Sequence, residues 1–165
     1  MSTHDVAIRE AEPRDLPLIV DFIRRKAAFD GLPDSVEATE PLLQEHLFGQ
    51  HPAAYVVLGE LDGRVVGFAS YFLTFSSFLG RCGIWLDDLF VEDSARGKGV
   101  GAALLTYLAV LAETRDYGRI EWVTATDNLK GLAFYQRNGA QIHVGLRLLR
   151  LEAREVSRLA RGRAT

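Results

Sequence analysis

Arg96-Gly97-Lys98-Gly99-Val100-Gly101 follows an apolar, strand-like run and opens a helix-like one. Its three glycines within five residues remove side chains where backbone could approach a ligand, and they permit turns that other residues resist. The first-turn amides of the following helix, with the positive end of its dipole, suit a phosphate. The dipole alone contributes about 0.3–1 kcal/mol, up to about 2 when partly buried, so useful affinity requires several charge-assisted N–H bonds made together. As a bare pattern, a purely structural glycine turn fits equally well. The spacing is not that of a nucleoside-triphosphate loop, nor the full G-x-G-x-x-G dinucleotide fingerprint. Upstream, Asp87 and Asp88 sit mid-strand. Neighbouring strand residues face opposite sides, so one carboxylate faces a site and the other the opposite layer unless a bulge intervenes; Asp88 is read as structural. Downstream, Asn128 and Tyr135 are seven residues apart, two helical turns, with Gly131 between them keeping that stripe low enough for a thin ligand arm. A helix N-cap for Asn128 and core packing for Tyr135 are the structural alternatives.

The elements that must position these residues can be read in order. Val6 to Glu10 predicts a short strand, and Leu16, Ile19, Val20, Ile23 and Ala27 then repeat at helical spacing after Pro13 and Asp15. Asp30, Gly31 and Pro33 break that pattern. Thr39 is the expected N-cap of a short helix that opens on Glu40 and Pro41 and ends at Gly49. Asp30, Asp34, Glu37 and Glu40 read as a solvated acidic loop. Tyr55 to Leu61 and Arg64 to Phe72 are β-rich runs joined by the hairpin dipeptide Asp62-Gly63, and Ile84 to Val91 is a further strand. From Val100, the residues Leu104, Tyr107, Leu108 and Leu111 predict a largely buried helix. Arg119 to Ala125 predicts a strand, Leu129 to Asn138 a short helix stopped by Gly139, and Gln141 to Leu151 one or two final strands. The order predicts one α/β domain over residues 1–165, its sheet antiparallel through the hairpin and parallel where helices intervene.

Composition excludes several classes. The chain has 165 residues, a formal net charge of −3 and a single cysteine, Cys82, which cannot form an internal disulfide and agrees with a reducing compartment. Mixed charge argues against nucleic-acid binding and favours cationic or neutral substrates. The basic stretch from Arg147 to Arg163 interleaves arginine with leucine and glutamate and reads as a strand followed by a solvated amphipathic end. The first ten residues lack a signal-like apolar run and no segment is long and apolar enough for a membrane span, so a cytoplasmic protein without membrane association is expected. His4, His46, His51 and His143 have neither metal-ligand nor triad spacing, and no metal site is expected.

Leu86-Asp87-Asp88-Leu89-Phe90-Val91, then Arg96-Gly97-Lys98-Gly99-Val100-Gly101-Ala102, resembles the acetyl-coenzyme A signature of the GNAT N-acetyltransferases, whose core is Arg-x-x-Gly-x-Gly. Asn128, Phe134-Tyr135 and Asn138-Gly139-Ala140 are similar to that superfamily's Asn and Phe-Tyr-x-x-x-Gly helix. The Thr39-to-Gly49 helix, Phe75-Ser76-Ser77-Phe78-Leu79-Gly80-Arg81 and the Leu86 strand resemble the diamine and thialysine acetyltransferase branch. The resemblance implies a GNAT acyltransferase fold, α/β, with a mixed, mostly antiparallel sheet of six to seven strands and about four helices. It implies acetyl-CoA as acyl donor, with the pantetheine arm along Leu89, Phe90 and Val91, the pyrophosphate on the amides of Arg96, Gly97, Lys98, Gly99, Val100 and Gly101, and Asn128 and Tyr135 beside the arm. A homodimer is implied as well, with the apolar run Leu146 to Leu151 as a candidate contact.

The implied reaction is direct acetyl transfer to a primary amine of a small molecule: a diamine, a polyamine or a lysine analogue. A protein amine is the enzymatic alternative, and a non-catalytic acetyl-CoA-sensing or partner-binding module is the alternative of another class. An amine of pKa about 10.4 is neutral in only about one molecule in 2,500 at pH 7, a cost of about 4.6 kcal/mol that the site must offset. Asp87 can accept or relay that proton or orient the amine, and Tyr135, protonated at pH 7, can donate to the departing thiolate. Two departures from the branch bear on the substrate. Asp87-Asp88 stands where Glu-Asp is usual, drawing the carboxylate back by about one methylene, and Asp127-Asn128-Leu129-Lys130 replaces Trp-Asn-x-Pro, removing an aromatic wall.

Overall fold

The computed structural model describes residues 4–162, which form two compact units dividing between Asn128 and Leu129. In the first unit the order is β1 (Val6–Glu10), α1 (Leu16–Phe29), α2 (Glu40–Phe48), β2 (Tyr55–Leu61), β3 (Arg64–Ser76), β4 (Arg81–Val91), α3 (Val100–Thr114) and β5 (Ile120–Glu121). The strands form one sheet in the order β1-β2-β3-β4-β5, antiparallel throughout except for the parallel β4-β5 pair. The Asp62-Gly63 turn expected from sequence joins β2 and β3, both residues having positive φ (51° and 78°) as a type I′ turn requires.

Period-2 alternation splits the sheet between two cores. Val57, Ala69, Tyr71, Ile84 and Leu86 face Val100, Leu104 and Leu108 of α3, whereas Val56, Leu58, Phe68 and Phe90 face Ile19 and Phe22 of α1. In α1 the fully buried aromatic is Phe22, stacked on Phe68 with ring centroids 5.6 Å apart; Ile23 and Ala27, expected in the buried stripe, are only half-buried. The helix face is set by where the sheet lies, which spacing alone does not determine. Burying a side chain of this size contributes about 1.5–3 kcal/mol. Gly59 lets α3 sit close on β2: a Cβ there would lie 2.6 Å from Val100 Cγ1. Thr39 occupies the N-cap position of α2, but its side chain makes no capping hydrogen bond.

Two expectations about strands are corrected. The predicted strand Arg119 to Ala125 is reduced to Ile120–Glu121, because its ladder on β4 stops at Trp85, beside a bulge. The second unit carries α4 (Leu129–Arg137) and α5 (Ala153–Ala160), and between them no residue of 141–151 is in a strand. A strand requires a ladder partner, and the alternating Leu and Arg of this run find none among the described residues. Among the described residues the sheet therefore has five strands instead of six to seven, and there are five α-helices instead of about four. The part of the basic stretch expected as an amphipathic end forms α5, with Arg161 at its C-cap; Arg163 lies outside the described residues.

Candidate active site

β4 carries the chemistry in the first unit. Its register on β3 pairs Asp88 with Ser70 and Leu86 with Tyr71, which leaves Asp87 as the extra residue of a β-bulge. The insertion reverses the parity of the strand: Ile84 and Leu86 face the α3 core, then Leu89 and Val91 do, while Phe90 joins the α1 core. Without the bulge, Asp88 would continue the Ile84 and Leu86 row into the α3 core. With it, Asp88 faces Lys26 of α1, whose Nζ lies 3.7 Å from its Oδ1. The Ser70 hydroxyl approaches Asp88 Oδ2 at 3.4 Å and accepts from the Asp88 N–H at 3.2 Å. Asp87 is exposed. Burial, and then the charge of Asp87, push the Asp88 carboxyl above the usual carboxylate range against the opposing pull of Lys26. The two carboxylates therefore feel each other across the bulge, so the simple alternation expected for them does not hold.

Beyond Trp85 no strand among the described residues pairs with the outer edge of β4. The Glu92 N–H donates to Val66 O on β3 at 2.8 Å, so by alternation Leu89 and Val91 direct their peptide groups to that open edge. The Val91 carbonyl accepts from Arg96 Nε at 3.0 Å. The Arg96 guanidinium is thus a brace: it also pairs with Asp93 at 2.8 Å and lies 4.8 Å from the Phe29 ring centroid. That leaves the backbone of the loop, not this side chain, to meet an anion.

Gly99 is the N-cap of α3, at φ 92° and ψ −14°, and Gly97 has φ 76°; a Cβ on either would stand in open space. Ala103 N–H is the first taken within the helix, by Gly99 O at 2.9 Å. The amides of Val100, Gly101 and Ala102 have no intrahelical acceptor, as in any first turn. Open space above these donors, continuous in sequence with an open strand edge, fits a ligand with a phosphate group and an amide arm. Leu89, Phe90, Val91, and Arg96 through Gly101 are thereby brought into one β4–α3 unit. A hollow of about 460 Å³ borders it, lined by Arg25, Phe29, Phe90, Ser94 and Arg96 among others. A larger one, about 750 Å³ between α1 and α2, is lined by none of the candidate catalytic or cofactor-binding residues.

Asn128 closes the first unit, its Nδ2 donating to Thr124 Oγ1 at 3.2 Å. In the second unit Tyr135 lies on α4, half-buried, with its ring edge-to-face on Phe134 at 5.1 Å. The positions missed from sequence are Lys26, Ser70 and the involvement of Asp30, which is exposed as expected but also bonds to the Lys26 ammonium. The spacing of Lys26 and Asp30, one helical turn, was the available signal.

A sheet bulged and opened along one strand, with a glycine-capped helix directly after it, defines the class: an α/β acyltransferase. The chain belongs to the acetyltransferase (GNAT) family, which matches residues 20–140, and it is an N-acetyltransferase of that family. It is 30% identical to an L-ornithine N5-acetyltransferase of Arabidopsis thaliana, over 87% of this chain and 83% of that one. It is 28% identical to the thialysine N-epsilon-acetyltransferase of Bos taurus, over 82% of this chain and 84% of that one. Among solved structures it resembles an integron cassette protein from the mobile metagenome of V. cholerae, with TM-score 0.76, 29% identity and coverage of 94% of this chain and 97% of the other. No helix among the described residues is long and apolar enough to cross a membrane.

Proposed function

We propose that the protein transfers an acetyl group from acetyl-CoA to the primary amine of a small molecule. The observation that carries this reading is the Leu86 to Val91 stretch, with a bulge bearing Asp87 at one end, an open edge along Leu89 and Val91, and the glycine-capped α3 beyond. The resemblance to ornithine and thialysine acetyltransferases across most of both chains supports a small amine as acceptor. Acetyl-CoA supplies the activated thioester. The amides of Gly97 to Gly101 hold its diphosphate, with Arg96 bracing the loop; the open edge from Leu89 through Phe90 to Val91, together with Asn128, receives its amide arm. Asp87, exposed at the bulge, meets the incoming ammonium and accepts or relays its proton. Asp88 behind it adds negative potential, and a bound cation relieves the repulsion between the two carboxylates. Tyr135 Oη holds the proton required by the leaving sulfur.

The whole chain acts as one catalytic domain in this reading, supported by a family match that runs across the boundary between the two units. The lone free thiol of Cys82, which is exposed, supports a cytoplasmic setting. A homodimer is supported by the apolar exposure of Val144, Leu146 and Leu149, and light scattering reads it directly as twice the chain mass. Incubation with acetyl-CoA and a panel of primary amines, monitored by thiol release, tests the reaction. Tight cofactor binding with no turnover on any small amine would overturn it in favour of a protein substrate or a non-catalytic module.

A further inference from the structure

Among the described residues, Lys26 is the cation brought against Asp88 at the β4 bulge. It stands in the last turn of α1, pairs with Asp30 one turn on, and reaches Asp88 Oδ1 at 3.7 Å across the sheet–helix interface. Its side chain is only 20% exposed, so a long, strongly hydrated cation has been drawn in instead of extending into water. Asp88 is held from the strand side by Ser70, with Asp87 beside it. Asp30 and Asp88 thus face one ammonium, with Asp87 exposed beside Asp88 on the strand. A lysine ammonium is chemically the head group of a primary-amine substrate. The position between Asp30 and Asp88, where a second ammonium would otherwise be stabilised, already has a tethered occupant.

We infer that Lys26 is a specificity-determining residue: its ammonium fills the second-cation position beside Asp30 and Asp88, so the protein selects primary amines with a single positive charge over diamines. This rests on the acetyl-transfer reading given above. An amine whose remote end is uncharged or anionic presents one cation to Asp87. A diamine brings a second ammonium to a place where it meets either Lys26 itself or carboxylates that Lys26 has already neutralised.

Butylamine and 1,4-diaminobutane, matched in length and differing in one charge, separate the alternatives. In the wild type, kcat/KM for butylamine should exceed that for the diamine. Lys26→Met, which keeps length and loses charge, should raise the diamine-to-monoamine ratio about tenfold or more, and Lys26→Gln should do the same if the Met variant does not fold. A ratio unchanged within about twofold overturns the inference. Calorimetric titration with 1,4-diaminobutane gives a readout independent of turnover: the variants should bind it about tenfold more tightly than wild type, and unchanged affinity overturns the inference. If none of the three proteins acetylates any amine, the acetyl-transfer reading fails, while the calorimetric comparison still decides the role of Lys26.

Discussion

Gly99→Ala separates the backbone role of the loop from its proposed role in binding. Gly99 sits at φ 92°, and a Cβ there meets nothing within 4 Å, so the substitution introduces no clash with the protein. Its folding cost is conformational, about 1–2 kcal/mol for an L side chain held at positive φ. For a chain of this size that is a fall in Tm of about 2–8 °C. The new methyl, however, occupies the open space above the first-turn amides of α3. If a diphosphate seats there, at least one hydrogen bond to a charged group is lost, worth about 1.5–3 kcal/mol, and affinity for acetyl-CoA falls by about tenfold to a hundredfold. Gly63→Ala provides the control, because Gly63 also has positive φ (78°) and an open Cβ position but lies in the β2–β3 turn. Thermal melts should place the two variants within a few degrees of each other. Isothermal titration with acetyl-CoA and the KM for acetyl-CoA should change only in Gly99→Ala. If both variants bind acetyl-CoA within about twofold of wild type, the loop does not seat the diphosphate; if both lose affinity equally, the loss reflects stability alone.

Tyr135→Phe should lower kcat by about a hundredfold, the scale of a lost general acid, with the acetyl-CoA dissociation constant nearly unchanged; equal turnover in single-turnover measurements would remove the role. Asp88→Asn should stabilise the protein at pH 7, with Tm higher on the order of 2–4 °C. The carboxyl is pushed up in the folded state, so the native protein binds more protons than the unfolded chain above the ordinary value of about 3.9. The carboxylate's destabilisation therefore grows as pH rises through that window, and melts at pH 4 to 7 should show the difference between variant and wild type vanishing toward the acid end. Asp15→Ala should cost about 2–4 kcal/mol in urea unfolding. Asp15, only 8% exposed, receives two bonds from the Arg9 guanidinium at 2.7 and 2.9 Å and one from the Glu12 N–H at 2.8 Å. A loss under about 1 kcal/mol would mean that Glu60, at 2.8 Å from Arg9 Nε, is the partner that matters.

What was legible in the sequence was what short-range physics decides. Asp62-Gly63 specifies a hairpin because few residues accept positive φ, the glycines before Val100 mark an open helix start, and the apolar spacing of Leu16 to Val20 and of Val100 to Leu108 identifies two buried helix faces. The motif residues Arg96 to Gly101 and the strand before them were found for the same reason, since spacing and turn chemistry are local. The tertiary structure decided matters that depend on a partner. Whether Arg119 to Ala125 or Gln141 to Leu151 becomes strand depends on a free ladder edge, and only Ile120 and Glu121 obtain one. Whether Asp88 points into a core or toward α1 depends on one inserted residue opposite Ser70 and Tyr71, which a period-2 reading of β4 alone cannot place. Lys26 and Asp88 are 62 residues apart in the chain and meet only because α1 packs on that face of the sheet. The sequence by itself determined the family and the loop that would seat the donor, through local backbone preferences. The charges that would face the amine were set by long-range packing.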